Sequence, residues 1–233
     1  MTEIKDELNK SFSTPTLEEI VSSLPNNRAL TEEELEILVK AFDFSKKFHE
    51  GQTRNSGEPY FNHCVQTAKN IARQNMDIDT IAAGLLHDTL EDTKATKEEI
   101  ESEFGEDILF LIQGVTKLGT IKYKGVERHV ESMRKFFIAM AEDIRVVVIK
   151  LCDRLHNVST LEYLRPDKAK RIAIETLEIH ARLADRIGMG KLKSELEDKA
   201  FPYAYPEDFK KVKDMFEETK SASEDYLLKI LEK

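Results

Sequence analysis

Apolar residues recur every three or four positions along most of this chain, which is the spacing of one face of an α-helix. The segment after Thr31 is a clear example, with apolar side chains at Leu35, Leu38, Val39 and Phe42. No run of alternating β-branched residues indicates a strand. The pattern therefore predicts an all-α fold.

Helix starts and stops divide this pattern into about ten helices. Thr31 with Glu34, and Thr96 with Glu99, are capping boxes typical of a helix start. Pro202 and Pro206 are expected to break the chain before the last helix. The predicted helices cover approximately residues 31–51, 60–75, 77–93, 96–105, 106–117, 130–140, 143–164, 167–188, 190–201 and 207 onward.

The chain contains neither an internal repeat nor a linker long enough to separate domains, so its 233 residues predict a single helical domain. We expect an N-terminal arm or short helix at 1–29, the domain at 30–205, and a charged C-terminal helix at 206–233 packed on it. That last helix has one narrow apolar stripe for docking, formed by Phe209, Val212, Met215 and Phe216.

The net charge of −9 argues against sequence-independent nucleic-acid binding, which needs a basic surface. A small anionic substrate needs only a local basic pocket. The N-terminus lacks the pattern of a signal peptide, and the longest strongly apolar run, Val146 to Ile149, is too short to cross a membrane. Cys64 and Cys152 lie in apolar segments and are expected to be buried, reduced thiols. We therefore predict a cytoplasmic protein with no membrane or nucleic-acid partner, and leave a homo-oligomer as a possible state.

One stretch, residues 85–93, combines an apolar side with an imidazole and three carboxylates. On a helix, Glu91 lies four residues after His87 and Asp92 four after Asp88, so each acid would stand one turn from the His-Asp pair. The adjacent pair could bind one cation together with ligands from other helices. The two acids could then hold or deprotonate a water molecule. We predict a catalytic site here.

A second polar interruption falls in the apolar segment 144–161, where Asp153 needs a partner because a buried carboxylate is costly alone. Asp153 is thus either a metal ligand or half of a structural ion pair. Asn157 and Thr160 follow it on nearly the same face. They could contact a sugar and a base, or they could cap their own helix.

Three further features remain ambiguous from the residues alone. His63 lies beside an apolar helix face, where a histidine is more often a satisfied core residue than a ligand. The polar loop 52–59 is either a ligand-binding loop or a solvated connection. The same choice applies to the basic segment 118–128, which could admit phosphates and contains Gly119, Lys122, Lys124, Gly125 and Arg128.

Taken together, several segments of this chain resemble the HD-type hydrolase domain of the RelA/SpoT alarmone enzymes. The resemblance covers roughly residues 40–212 in unbroken order, including scaffold segments. Its motifs are RNSGEPY at 54–60 with His63, GLLHDTLEDT at 84–93, GVTKL at 114–118, AEDIRV at 141–146, KLCDRLHN at 150–157 and ELEDKAF at 195–201.

The resemblance implies an HD-type helical bundle that hydrolyses (p)ppGpp, releasing pyrophosphate from the 3′ position to leave GDP or GTP. It also implies that one Mn²⁺ is bound by four side chains, namely His63, His87, Asp88 and Asp153. Glu91 and Asp92 would control the attacking water. The nucleoside would be held by Arg54, Asn55, Ser56, Asn157 and Thr160.

The chain departs from the family pattern at a few positions. Asn55 stands where the family usually has lysine, which removes a positive charge near the expected base or ribose. His180 and Arg182 replace the usual tyrosine and proline, a change expected to affect packing. Because the long bifunctional enzymes continue into a synthetase domain, we expect a stand-alone small alarmone hydrolase, with a hydrolase portion of a longer protein as the alternative.

Two other functions are compatible with these residues. One is a phosphatase for another phosphorylated nucleotide, such as NADPH or an adenosine alarmone. The other is a hydrolytically silent, antitoxin-like binding partner. The intact set of acids and histidines counts against the silent protein, since a domain kept only for binding need not retain all of them.

Overall fold

The computed structural model describes residues 14–119 and 126–231, and these residues form twelve α-helices without a β-sheet. The prediction of an all-α fold is confirmed. The first six helices are α1 (Leu17–Val21), α2 (Glu32–Phe48), α3 (Tyr60–Arg73), α4 (Ile78–Leu86), α5 (Thr89–Asp92) and α6 (Lys97–Gly119). The others are α7 (Val126–Glu142), α8 (Ile144–Ser159), α9 (Pro166–Glu175), α10 (Ala181–Arg186), α11 (Gly190–Ala204) and α12 (Pro206–Leu231).

The helices group into two compact units, residues 1–163 and 164–233. In the first unit, α4 packs against α2, α3, α6 and α8, and α3 also packs against α8. In the second unit, α11 packs against α9 and α10, and α12 adjoins α11. A π-helical turn, Thr176–His180, joins α9 to α10.

Helix α4 is the centre of the first unit because, after its polar first turn, it is apolar on every side from Ile81 to Leu86. Its side chains Ile81, Leu85 and Leu86 are completely buried. A helix that is hydrophobic on every side is stable only when other elements surround it. Residues that follow α4 directly therefore begin inside the protein.

The helix that contains His87 and Asp88 is shorter than predicted, because α4 ends at Leu86 and α5 is a separate single turn. Two side chains form hydrogen bonds with carbonyl groups in the last turn of α4. His87 Nδ1 lies 2.8 Å from the carbonyl oxygen of Gly84, and the Thr89 hydroxyl donates to the carbonyl oxygen of Leu86 at 2.6 Å. Such local bonds end helices, and a periodicity pattern does not reveal them.

Glycine and proline affect two other helix boundaries differently. Gly105 has φ 83°, so it interrupts the segment Lys97–Gly119 between the two helices predicted there. The predicted break at Pro202 is wrong, since α11 continues through it to Ala204. The break lies instead at Tyr205, which has φ −136° and ψ 66°. Residue 206 is a proline, and its ring disfavours helical geometry in the residue before it.

Several predictions about the surface and the cysteines have mixed outcomes. Cys64 and Cys152 are buried and do not form a disulfide, as predicted. In α12, Phe209 packs edge-on against Phe201, but the rest of the predicted stripe is exposed: Val212 by 53%, Met215 by 66% and Phe216 by 68%.

None of the described helices combines the length and apolarity needed to span a membrane. Residues 1–13 of the predicted arm, and 120–125 of the predicted basic loop, lie outside the described residues.

Gly114 marks the closest approach between α6 and α8. A Cβ atom at this position would lie 2.7 Å from Cγ2 of Val146 and 3.0 Å from its Cγ1. Because valine is branched at Cβ, rotation of its side chain cannot move both methyl groups away. Only glycine at position 114 permits the two helices to pack at this distance.

We therefore expect Gly114→Ala to lower the free energy of unfolding. The steric cost of overpacking is about 1–3 kcal/mol, against a gain of about 1 kcal/mol in helix propensity. The steric cost should exceed the gain in helix propensity, because both Val146 methyl groups lie within 3.0 Å of the added Cβ position. Gly190→Ala is the matched control, since nothing lies within 4 Å of its Cβ position. Urea unfolding of the two variants measures the difference, and equal stabilities would contradict this account of the packing.

Candidate metal centre

Four ionisable side chains from different parts of the first unit meet at one point. His63 comes from the first turn of α3, His87 and Asp88 follow α4, and Asp153 lies in the middle of α8. His63, His87 and Asp88 each offer a ligand atom within 4.8 Å of the other two. Asp153 Oδ1 is 3.2 Å from His63 Nε2 and 3.9 Å from His87 Nε2.

The distances inside this cluster suit a single metal ion. Asp88 Oδ2 is 3.5 Å from His63 Nε2 and 3.0 Å from His87 Nε2. Two ligand atoms that are each about 2.1 Å from an ion lie about 3.0–3.4 Å apart at octahedral or tetrahedral angles. The four nitrogen-to-oxygen separations, 3.0 to 3.9 Å, fall close to that range.

The ring of His87 provides a direct test of whether a cation fits. Its Nδ1 faces the carbonyl oxygen of Gly84 and must donate to it, which directs Nε2 toward the carboxylates. That Nε2 is buried and lies 3.0 Å from Asp88 Oδ2, without a hydrogen bond assigned to it. A buried nitrogen facing two carboxylates requires either a proton or a metal ion between them.

The electrostatic field at the centre attracts positive charge. Burial alone would lower the pKa of His87, but Asp88 and Asp153 outweigh burial and raise it to about 9. Burial would also raise the pKa of Asp153, but Lys150 and His63 hold it well below its usual value. The pKa of Asp88 is likewise lowered, since His87 and His63 outweigh its burial. Both carboxylates are therefore ionised and available as ligands.

Asp153 is held by bonds to both of its oxygen atoms. The amine of Lys150 donates to Oδ2 at 2.7 Å, and the amide of Asn157 donates to Oδ1 at 2.6 Å. Asp153 is thus both a candidate ligand and half of an ion pair, the two interpretations that the sequence left open. The Lys150 pair fixes the rotation of the carboxylate, so that Oδ1 faces the histidines.

The two acids that follow the centre are more exposed than the ligands. Asp92 Oδ2 and Asp88 Oδ2 both lie within 2.8 Å of the hydroxyl of Tyr60. A hydroxyl has one hydrogen to donate, so Tyr60 ties Asp92 to a candidate ligand through a single proton. Burial, followed by Asp88 and Asp92, raises the pKa of Glu91, which makes its carboxylate a stronger base.

The predicted nucleoside-binding residues divide into two groups. Arg54 and Asn157 adjoin the centre, since Arg54 Nη2 donates to Asn157 Oδ1 at 2.6 Å. Within the described part of the chain, the hydrogen bonds of Ser56 and Thr160 are local: Ser56 Oγ accepts from the amide of Glu58, and Thr160 Oγ1 donates to the carbonyl oxygen of Asn157. Asn55 is exposed in the same tight loop as Ser56.

Three residues at the centre were not singled out by the sequence, namely Tyr60, Lys150 and His156. Each is three positions from a candidate ligand on the same helix: Tyr60 from His63, and Lys150 and His156 from Asp153. Helix geometry puts residues three apart on one face. The spacing of three residues from a candidate ligand was the sequence signal for these positions. It could be interpreted only after the candidate ligands were known.

An all-α protein with two buried imidazoles, one buried carboxylate and one half-buried carboxylate at one point has the donor set of a divalent-metal centre. The chain belongs to the HD domain family, whose model matches residues 41–190. This match includes all four candidate ligands.

Relatives of known name support the resemblance to the RelA/SpoT enzymes. The chain is 47% identical over 213 residues to the guanosine-3′,5′-bis(diphosphate) 3′-pyrophosphohydrolase of Aquifex aeolicus, and the aligned region covers 91% of this chain and 29% of that protein. It is 43% identical over 203 residues to the bifunctional (p)ppGpp synthase/hydrolase SpoT of Escherichia coli, and the aligned region covers 87% of this chain and 29% of that protein. The chain thus spans less than a third of the length of these curated relatives.

A solved structure supports the fold. A metazoan ortholog of SpoT, described as hydrolysing ppGpp, superposes with a TM-score of 0.55 at 22% identity. The superposition covers 75% of this chain and 96% of the other. The helical HD-type fold predicted from the resemblance is therefore confirmed.

Metal binding should depend on pH, because a proton and a metal ion compete for Nε2 of His87. Its pKa of about 9 lies above the ordinary 6.5, so protonation stabilises the metal-free fold below pH 6.5, and this contribution is lost as pH rises through 9. Displacing this proton should make the apparent dissociation constant fall by up to ~tenfold per pH unit across that window, then level off.

Titration calorimetry of the metal-free protein at several pH values measures this dependence. Repeating it in two buffers of different ionisation enthalpy counts the protons released for each ion bound. An affinity that does not change between pH 6.5 and 9 would contradict this competition, in which a proton on His87 with a raised pKa excludes the ion.

Proposed function

We propose that this chain hydrolyses (p)ppGpp in the cytoplasm, releasing pyrophosphate from the 3′ position and leaving GDP or GTP. The observation that carries the proposal is the cluster of His63, His87, Asp88 and Asp153 at 3.0–3.9 Å separations. It occurs in a chain that is 43–47% identical to proteins named for this reaction.

The four clustered side chains would hold one Mn²⁺. Two imidazole nitrogens and two carboxylate oxygens suit a borderline cation such as Mn²⁺. When bound, the ion supplies Lewis-acid polarisation of a phosphoryl oxygen and lowers the pKa of water. His87 and Asp88 would keep their rotamers because α4 and the Gly84 carbonyl fix their backbone and ring.

Glu91 and Asp92 would manage the attacking water. Glu91 has the raised pKa expected of a general base that works near neutral pH. Asp92 is held through Tyr60, whose own pKa is raised by burial and by Asp88, so the phenol keeps its proton. The phenol can therefore act only as a hydrogen-bonding and positioning group.

The guanosine would lie beside the loop 53–59 and the C-terminal half of α8. In this proposal Arg54, Asn55, Ser56, Asn157 and Thr160 contact the nucleoside. The loop has a defined shape, because the amide of Arg54 donates to the carbonyl oxygen of Glu58 and the amide of Gly57 donates to that of Arg54, both at 2.9 Å. Asn55 carries no charge, so recognition there would rely on its amide.

Two substitutions should separate metal binding from chemistry. Asp153→Ala should abolish both metal binding and turnover, because it removes a ligand and leaves Lys150 without its partner. Glu91→Gln should keep the metal affinity and lower kcat by about 10²–10⁴-fold, the usual contribution of a general base. Calorimetric Mn²⁺ titration and release of pyrophosphate from guanosine tetraphosphate measure the two effects. Equal loss of metal in both variants would contradict the division of roles.

Substrate choice is tested by turnover of the purified chain with Mn²⁺. We expect guanosine tetraphosphate to be hydrolysed faster than its adenosine analogue or NADPH. Faster release of phosphate from NADPH would replace the proposed substrate while leaving the metal centre intact. No turnover of any nucleotide by protein with bound metal would favour a binding protein.

A further inference from the structure

Arg54 makes two hydrogen bonds that lead toward the metal centre. Its Nη1 lies 2.9 Å from Nδ1 of His156, and its Nη2 lies 2.6 Å from Oδ1 of Asn157. A guanidinium group can only donate. Nδ1 of His156 is therefore an acceptor and carries no hydrogen.

This assignment determines the state of His63, which is a candidate ligand. Nδ1 of His63 lies 2.7 Å from the same Nδ1 of His156. Nδ1 of His156 has one lone pair, which Arg54 and His63 share as donors, because two bare nitrogens at this distance would repel each other; His63 therefore carries a hydrogen on Nδ1. Its Nε2, which faces Asp88 and Asp153 at 3.5 and 3.2 Å, is then the nitrogen that a metal ion would bind in place of a proton.

The second hydrogen bond of Arg54 determines the orientation of Asn157. Its Oδ1 accepts from Arg54, so its Nδ2 is the atom directed at Asp153 Oδ1. The resulting 2.6 Å bond holds the oxygen of Asp153 that faces the histidines. An amide in the opposite orientation would present two oxygen atoms to each other.

We propose that Arg54, His156 and Asn157 form a positioning bracket that prepares His63 Nε2 and Asp153 Oδ1 to bind the metal ion, before any nucleotide is present. The inference rests on the metal centre of the proposed function and adds a role for Arg54 beyond contact with the nucleoside. His156 is a positioning residue because it acts through His63. Outer hydrogen-bond partners of metal ligands typically change metal affinity by about 10–100-fold when removed.

His87 offers an internal comparison for this bracket. Its Nδ1 donates to a backbone carbonyl group, that of Gly84, which no side-chain substitution removes. Nδ1 of His63 instead depends on the side chain of His156. Changes to the bracket should therefore alter His63 and leave the tautomer of His87 unchanged.

The first experiment is ¹⁵N NMR of the histidine rings in the metal-free protein. In the natural sequence, Nδ1 of His63 should carry a hydrogen. His156→Asn should preserve this hydrogen, since its Oδ1 can replace the accepting nitrogen. In His156→Leu, of similar size but without an acceptor, only part of the molecules should keep it. Absence of a hydrogen from Nδ1 of His63 in the natural sequence would overturn the proposal without any variant.

The second experiment is calorimetric titration with Mn²⁺ in the absence of nucleotide. His156→Leu and Arg54→Met should weaken binding by ~10–100-fold, while His156→Asn should restore most of the affinity. Arg165→Met is the matched control, because Arg165 is exposed and pairs with its neighbour Asp167. Circular dichroism verifies that each variant is folded.

The outcomes separate this proposal from the proposed function. Unchanged Mn²⁺ affinity in Arg54→Met would limit Arg54 to nucleotide binding and overturn the bracket. If Mn²⁺ affinity falls in the variants but the natural sequence does not hydrolyse guanosine tetraphosphate, the bracket stands and only the substrate is wrong.

Discussion

The removal of two carboxylates and two imidazoles from most of their water at one point is the constraint on which the first unit depends. Removing ionised groups from water costs several kcal/mol for each group, unless opposite charge and hydrogen bonds compensate. The protein compensates in part through Lys150, which pairs with Asp153, and through the raised proton affinity of His87. The separations between the remaining atoms suit a divalent ion, which would complete the compensation.

The scaffold supplies this arrangement through one apolar helix. Because α4 is buried on all sides, the chain that leaves it at Leu86 is already inside the protein. The helix ends there since His87 and Thr89 bond its last free carbonyl groups. The chain changes direction at this helix end, so that His87 is buried while Glu91 and Asp92 are exposed. A single helix end thereby separates groups that bind a metal from groups that can reach water.

Two of the helices that carry ligands also carry a second polar residue of the centre, three positions earlier in the chain. Lys150 pairs with Asp153 on α8, whereas Tyr60 lies on the helix of His63 and bonds Asp88 and Asp92. Residues three apart share a helix face, so folding of the helix brings both to the centre. Arg54 is different because it reaches α8 from a loop and bonds two consecutive residues of that helix, His156 and Asn157. Its contacts connect the loop expected to bind nucleoside with the residues expected to bind metal.

The sequence alone determined the helical fold and the buried thiols, and its resemblance to a known family pointed to the four side chains that meet at the centre. Helical periodicity and burial are local properties, and the motifs around His63, His87 and Asp153 stand in the chain regardless of its folding. The end of α4 at Leu86 and the continuation of α11 through Pro202 were not predictable, because side-chain bonds and packing override propensity there. Tertiary structure alone decided which hydrogen bonds His156 and Arg54 form. His63 and His156 are 93 positions apart, and Arg54 and His156 are 102 apart. A hydrogen bond over such a separation exists only after α3, α8 and the loop have packed together, so no local pattern can encode which atom accepts from which.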